Sequence, residues 1–431
     1  MDRLSRALSI RPTALDDLHA YLRQAFPSTH RRLQVERVAG LSALYTWPGT
    51  DPSLPPIVLM GHLNVVGVDA DSRAAWHHPP FGGHVVDGFV WERGAIDDKG
   101  SVLATLEAVE TLLGEGFQPQ RTIFLALGHD EESGGSGARA ILTALRNRGV
   151  SEFALVLDEG GAILPASRIP GVDRPVALIG IAEKRALNVE LTVRSDGGHA
   201  SSPPTVSAIG RLGRAVGRLE ANPWPARLDG ATAEMFRHLA PEMTHGPRVV
   251  FANLWLFRPF VRRVLARSSD TGPIVRTTIA PTMISAGSRL NVLPSIARAM
   301  PNIRLLPSDT PDAVIDRVRQ VVADDLIEIR LVGERASDSR MSDPSSPAFG
   351  LLARTVRETY ADVLVAPYLT IAAVDARWYA PHSPNVYRFR GVQWEADVTE
   401  RIHGVNERIS VDAYVNGVQF VRRLLQQSDT L

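Results

Sequence analysis

The sequence predicts an α/β protein, in which a mostly parallel sheet flanked by helices carries a smaller inserted α+β domain. Three observations predict it. The first part of the chain alternates continuous apolar runs with helical patterns, as strands buried on both faces and their crossover helices do. From about Ala186 the texture becomes an apolar–polar alternation, the mark of antiparallel strands with one wet face. A length of 431 residues also exceeds what one hydrophobic core usually organises.

Taken in order, residues 57–60 read as a buried strand, and residues 101–113 as a helix stopped by Gly114 and Gly116. Residues 122–127 and 154–157 give two further strands, with a helix over 137–147 between them. In the middle block, residues 187–193 and 297–305 alternate as antiparallel strands. Residues 255–267 are aromatic and arginine-rich; ordinary packing is expected of them, because Pro259 should interrupt a helical register. Helices over 349–360 and 412–426 then return to the first domain, which sets expected boundaries of 1–185, 186–338 and 339–431.

Lys+Arg and Asp+Glu are equal at 47 each, so the chain offers no electrostatic footprint for nucleic acid, and a small molecule is the expected partner. No apolar run has the length of a membrane span, and Met1 to Arg6 lack the apolar core of a secretion signal, which leads us to expect a cytoplasmic protein. There is no cysteine, so any metal must sit on histidine and carboxylates. Of the 47 basic side chains only Lys99 and Lys184 are lysines, and both lie beside the motifs singled out below. A compact ammonium is not interchangeable with a planar guanidinium, which marks these as positions where arginine would not fit.

Three apolar strands each end in a potential metal ligand: Met60-Gly61 leads to His62, Leu127-Gly128 leads through His129-Asp130 to Glu131-Glu132, and Leu157 leads to Asp158. Carboxyl ends of parallel strands are where α/β sheets bind ligands, so these groups should converge there, with Asp97 arriving on the same edge. The pairs Asp97-Asp98 and Glu131-Glu132 would place four carboxylates together, a repulsion that cations relieve.

The strings Gly61-His62-Leu63-Asn64, Gly94-Ala95-Ile96-Asp97-Asp98-Lys99-Gly100, Asp130-Glu131-Glu132-Ser133-Gly134-Gly135, Leu157-Asp158-Glu159-Gly160-Gly161, Gly198-His199-Ala200-Ser201, Asn291-Val292-Leu293-Pro294 and Ile402-His403-Gly404-Val405-Asn406-Glu407 are similar to those of the zinc-dependent aminoacylase and carboxypeptidase G2 family. Within it, the chain most resembles the carboxypeptidase S and N-acyl amino acid hydrolase branch. The resemblance implies a hydrolase that cleaves an amide or peptide bond beside a free α-carboxylate, with a dipeptide or N-acyl amino acid as substrate. It implies two divalent metal ions, zinc in first place with cobalt or manganese as alternatives. Asp97 would bridge them, His62 and Asp158 would complete one site, and Glu132 and His403 the other. Glu131 would be the general base, acting on water whose pKa metal coordination brings from about 15.7 to about 7. Asn291 and Arg304 would hold the substrate carboxylate, and His199 would donate to the oxyanion. The inserted block would act as a lid or dimerisation domain, with His199 reaching a partner's site in a homodimer.

The sequence departs from that pattern at Asn64, where the family has an aspartate orienting the first ligand histidine through its second ring nitrogen. The amide oxygen can accept the same hydrogen bond without charge, and losing such a partner costs about 10–100-fold in affinity or activity. Ala200, Arg185 and the run Ala373-Val374-Asp375 also differ, around elements of specificity. Asn64 motivates the alternative of a non-catalytic metal-binding regulatory protein on the same scaffold. A serine-nucleophile elbow is excluded because Ala138 stands where its closing glycine belongs, and neither lysine has a phosphate-loop setting.

Overall fold

The computed structural model describes residues 1–333 and 340–431. In chain order its principal strands are β1 (Gln34–Val38), β2 (Ser42–Trp47), β3 (Ile57–His62), β4 (Ile123–Gly128), β5 (Leu155–Asp158), β6 (Val176–Glu183), β7 (Arg185–Arg194), β8 (Thr278–Ala286), β9 (Ile296–Leu305), β10 (Ile327–Val332), β11 (Leu364–Thr370) and β12 (Val386–Arg388). The helices that matter below are α1 (Lys99–Gly114), α2 (Ser136–Asn147), α3 (Ala208–Ala221), α4 (Gly230–Leu239), α5 (His245–Ala252), α6 (Leu254–Leu265), α7 (Pro311–Val322), α8 (Pro347–Thr359) and α9 (Val411–Gln427).

A nine-stranded sheet runs in the order β1, β2, β4, β3, β5, β12, β6, β11, with the short strand Ile163–Leu164 also paired to β6. Its centre is parallel: β3 lies between β4 and β5, and β12 continues beside β5. These strands are apolar on both faces because both faces are covered. Ile57 and Leu59 pack with Leu103, Leu106 and Val109 of α1 on one side, while Val58 and Met60 pack with Ile141, Leu142 and Leu145 of α2 on the other. The period-2 geometry of a strand thus splits one apolar run between two cores. Helices α8 and α9 complete the layer around α1.

The second sheet is antiparallel, in the order β8, β9, β7, β10. Leu187, Val189, Leu191 and Val193 point from β7 into a core made with α3 and α7, while Asn188 lies exposed on the opposite face. The chain crosses between the two sheets at Lys184, since β6 ends at Glu183 and β7 begins at Arg185. The expected return at 338/339 lies outside the described residues. Helices α4 to α6, although inside the middle block by sequence, pack on β6 and β11 of the large sheet through Met235, Phe236, Leu239 and Val261.

Pro259 does not interrupt the helix as expected. α6 runs through it from Leu254 to Leu265, with Pro259 on the exposed side, where water can satisfy the carbonyl that proline leaves unpaired. No helix among the described residues is long and apolar enough to cross a membrane.

Both lysines are buried, which explains why arginine does not replace them. Lys99 donates to the carbonyl of Ile10 at 3.0 Å. Lys184 donates to the carbonyls of Pro273 (3.1 Å) and Arg276 (2.8 Å) and to Thr278 Oγ1 (3.0 Å), tying the crossing at Lys184 to the segment that leads into β8. Lys184→Met leaves those acceptors without a donor and should lower the unfolding free energy by about 2–4 kcal/mol. Denaturant melts would show it; a loss under about 0.5 kcal/mol would mean the clamp contributes nothing.

Candidate metal centre

Three strand ends and two loops build the site. β3 ends in His62, β4 leads into the loop holding Glu131 and Glu132, and β5 leads into Asp158 and Glu159. Asp97 precedes α1, and His403 follows the short helix Val398–Arg401 with a left-handed backbone (φ 62°) that few side chains accept. Local chemistry fixes the loops. Asp130 clamps the start of α2 by accepting the N–H groups of Ser136 (2.9 Å) and Gly137 (2.8 Å). Gly135 turns the chain there at φ 71°, where a Cβ would strike Asp375 Oδ1. Glu407, fully buried, accepts the backbone N–H groups of Gly94 (3.0 Å), Ile96 (2.9 Å) and Asp97 (3.1 Å) and pairs with Arg93 at 2.5 Å, so the Asp97 loop is strapped to the segment that carries His403.

Asp97 stands between two imidazoles. Its Oδ1 lies 3.1 Å from His62 Nε2 and its Oδ2 lies 3.2 Å from His403 Nε2. His403 Nε2 is also 3.1 Å from Glu132 Oε1, and His62 Nε2 is 3.5 Å from Glu159 Oε1. Two groups of ligand atoms therefore share Asp97: His62, Asp97 and Glu159 on one side, and Asp97, Glu132 and His403 on the other, each within 4.8 Å. Nitrogen and oxygen donors without sulfur suit zinc, cobalt or manganese. The second ring nitrogen of His62 is held 2.9 Å from the backbone carbonyl of Asn64, the outer contact that metal-binding histidines use.

Two expectations bear on the surroundings of His62. The carboxylate placed beside it is that of Glu159, while the expected ligand Asp158 does not lie within that group. Consecutive residues at a strand end face opposite ways, and Asp158 turns back to accept the N–H of Ala376 at 2.6 Å. Asn64 does not orient His62 through its amide either. The carbonyl of residue 64, which any side chain there would leave in place, makes that contact, while the amide Oδ1 accepts the N–H of Glu131 at 3.2 Å.

Charge in the cluster is strongly coupled. Burial disfavours charge on His62, but the hydrogen bond and negative charge of Asp97 outweigh it and hold the imidazole well above its ordinary value. Desolvation opposes charge on the half-buried Asp97 too, yet His403, His62 and Arg390 keep it well below the carboxylate range. Hydrogen bonds to Asp97 and Glu132 raise His403 to about 10. Glu131, outside both ligand groups, is pushed by burial up to about 7, with His62 opposing and Glu132 adding to the rise.

Sequence reasoning overlooked two arginines. Arg390 is buried beyond the end of β12, with Nη2 3.1 Å from Asp97 Oδ1 and in contact with Glu159. Arg377 places Nη1 3.7 Å from Glu131 Oε1 and donates to the carbonyl of Gly134 at 2.9 Å. Arg390 follows a fourth buried strand, β12, whose Val-Tyr-Arg sequence lacks the apolar run that singled out His62. Arg304, on β9, is brought to this side of the site. Burial lowers its basicity, while Glu131 attracts it, and its Nε donates to Asn302 Oδ1 at 3.0 Å. His199 and Asn291 are not brought in. They sit together on an exposed two-stranded ribbon, where the segment at Gly198–His199 pairs with the one at Val292–Leu293 and Ala200 N donates to the Asn291 carbonyl at 3.0 Å, and among the described residues neither makes a hydrogen bond or ion pair with the cluster.

Over residues 58–427 the chain matches the model of peptidase family M20/M25/M40. The probable carboxypeptidase S-like 2 of Dictyostelium discoideum is 40% identical to it over 412 residues, covering 95% of this chain and 79% of that one. The N-fatty-acyl-amino acid synthase/hydrolase PM20D1 of Mus musculus is 40% identical over 424 residues, covering 97% of this chain and 83% of its own length. In fold the chain is similar to the crystal structure of an M20 family metallo-carboxypeptidase, Sso-CP2, from Sulfolobus solfataricus, with a TM-score of 0.73, 18% identity and coverage of 99% and 98% of the two chains.

Proposed function

The chain belongs to peptidase family M20/M25/M40 and is a metal-dependent amide or peptide hydrolase, and from that premise we propose that it cleaves the amide bond of an N-acyl amino acid or short peptide beside a free α-carboxylate. His62, Asp97 and Glu159 would hold one zinc ion, and Asp97, Glu132 and His403 the other. The observation that carries this reading is the placement of Asp97, one oxygen toward each imidazole, with a further carboxylate on each side.

When bound, a pair of divalent cations acidifies water and polarises the scissile carbonyl. Glu131, free of both ligand groups and held near neutrality, takes the proton from water and hands it to the leaving nitrogen. Arg304 binds the substrate carboxylate, and its guanidinium is kept in place by Asn302. The two curated relatives bear different names, one a carboxypeptidase and the other a hydrolase of N-fatty-acyl amino acids. Peptides and N-acyl amino acids both present a carboxylate next to the amide, which is the feature Arg304 would read. His199 and Asn291, exposed on their two-stranded ribbon, would serve the site of a second copy in a homodimer.

Chelation followed by reconstitution tests the reading. Turnover of dipeptides, N-acetyl and N-long-chain-acyl amino acids should vanish with the metal and return as zinc is restored to two equivalents. Activity that survives complete metal removal would overturn it.

A further inference from the structure

Helices α5 and α6 bury one side against the β6–β11 edge of the large sheet, through Val261 and the partly buried Phe251, Leu254, Phe257 and Leu265. Their other side is apolar and bare. Trp255 is 80% exposed, Phe260 62%, Leu256 56% and Val264 49%, and Val249 of the preceding helix is 57% exposed. At about 100° per residue Leu256, Phe260 and Val264 line one strip of α6, and Trp255 lies on the same exposed half of the helix, about 100° round from Leu256. Patches of this kind mark interaction surfaces.

The charge around the stripe says what covers it. Arg248, Arg258, Arg262, Arg263 and Arg267 are all exposed, and no acidic residue occurs between Glu242 and Asp270. None of these five side chains makes a hydrogen bond or ion pair among the described residues. A two-fold contact with a second copy would set this cluster against itself, with no acid of its own to answer it. Tryptophan, phenylalanine and leucine along one face, with flanking arginines long enough to reach headgroups, are what an in-plane interfacial helix uses.

We propose that α5 and α6 dock this protein peripherally on a bilayer surface rich in anionic lipid. Trp255, Leu256, Phe260 and Val264 enter the headgroup boundary, and the arginines bind lipid phosphates. Nothing in this rests on the catalytic assignment, since the stripe and the metal cluster share no residue.

The test is co-sedimentation of the full chain with phosphatidylcholine vesicles and with vesicles in which about a third of the lipid is phosphatidylglycerol. We expect partition at least about ten-fold stronger onto the anionic vesicles, falling as salt is raised. A blue shift in fluorescence should accompany binding and disappear in Trp255→Phe. Trp255→Ala combined with Phe260→Ala, and separately Arg262→Glu combined with Arg263→Glu, should abolish partition without moving the thermal midpoint; the second pair is wholly exposed and leaves packing untouched. Equal, weak binding to both vesicle types overturns the proposal, as does full retention of binding in both double variants. Self-association that Trp255→Ala with Phe260→Ala removes, without any vesicle binding, assigns the face to a second copy instead.

Discussion

Glu131→Gln should cut turnover by roughly 10²–10⁴-fold, about 3–5 kcal/mol of transition-state stabilisation, while the protein keeps both metal equivalents. The reason is a division of labour between neighbours. Glu132 lies 3.1 Å from His403 Nε2 inside a ligand group, whereas Glu131 belongs to neither group. Burial raises Glu131 to about 7, the range in which a carboxylate both accepts a proton from water and gives it up to an amine. Glutamine keeps the size and the approach of Arg377, which lies 3.7 Å away, but accepts no proton. Mass spectrometry of the loaded protein alongside steady-state kinetics separates the two effects. A variant with less than one equivalent would make Glu131 a ligand, and undiminished turnover would remove it from the chemistry.

The second large effect distinguishes adjacent carboxylates. Glu159→Ala should weaken one of the two metal equivalents by at least about 100-fold, since loss of a mere outer contact already costs 10–100-fold. Asp158→Asn should leave both in place. Burial pushes Asp158 up to about 7, so its site favours a neutral side chain, and an amide oxygen can still accept the Ala376 N–H. Competition titrations of zinc against a chelator read both variants. The opposite pattern, with Asp158 essential and Glu159 dispensable, would return the ligand to the end of β5.

The neighbours Asp158 and Glu159 show where sequence legibility ends. The sheet was readable because buried parallel strands leave unbroken apolar runs, and the runs ending at His62 and before Glu131 located the crevice. Which of two consecutive acids faces that crevice depends on how β5 twists as it terminates, and spacing carries no record of it. His403 was reachable through the family resemblance alone, because it comes from the far end of the chain and no periodicity ties it to His62. Asn64 misled for a related reason, since the contact to His62 is made by a backbone carbonyl, which composition never reveals. At α6 the fault lay in treating proline as a stop. A proline whose freed carbonyl faces water bends the balance less than one inside a core, and exposure is a tertiary fact.

Glu407 reaches back more than three hundred positions to grip the amides of Gly94, Ile96 and Asp97, only four residues after His403. A chain ending at residue 400 holds His62, Asp97, Glu132 and Glu159, four of the five proposed ligand side chains. It lacks both the fifth and the anchor that shapes the bend around Asp97. A chain cut short before His403 would keep the His62, Asp97 and Glu159 group, yet lose the histidine beside Glu132 and the strap on the Asp97 loop together.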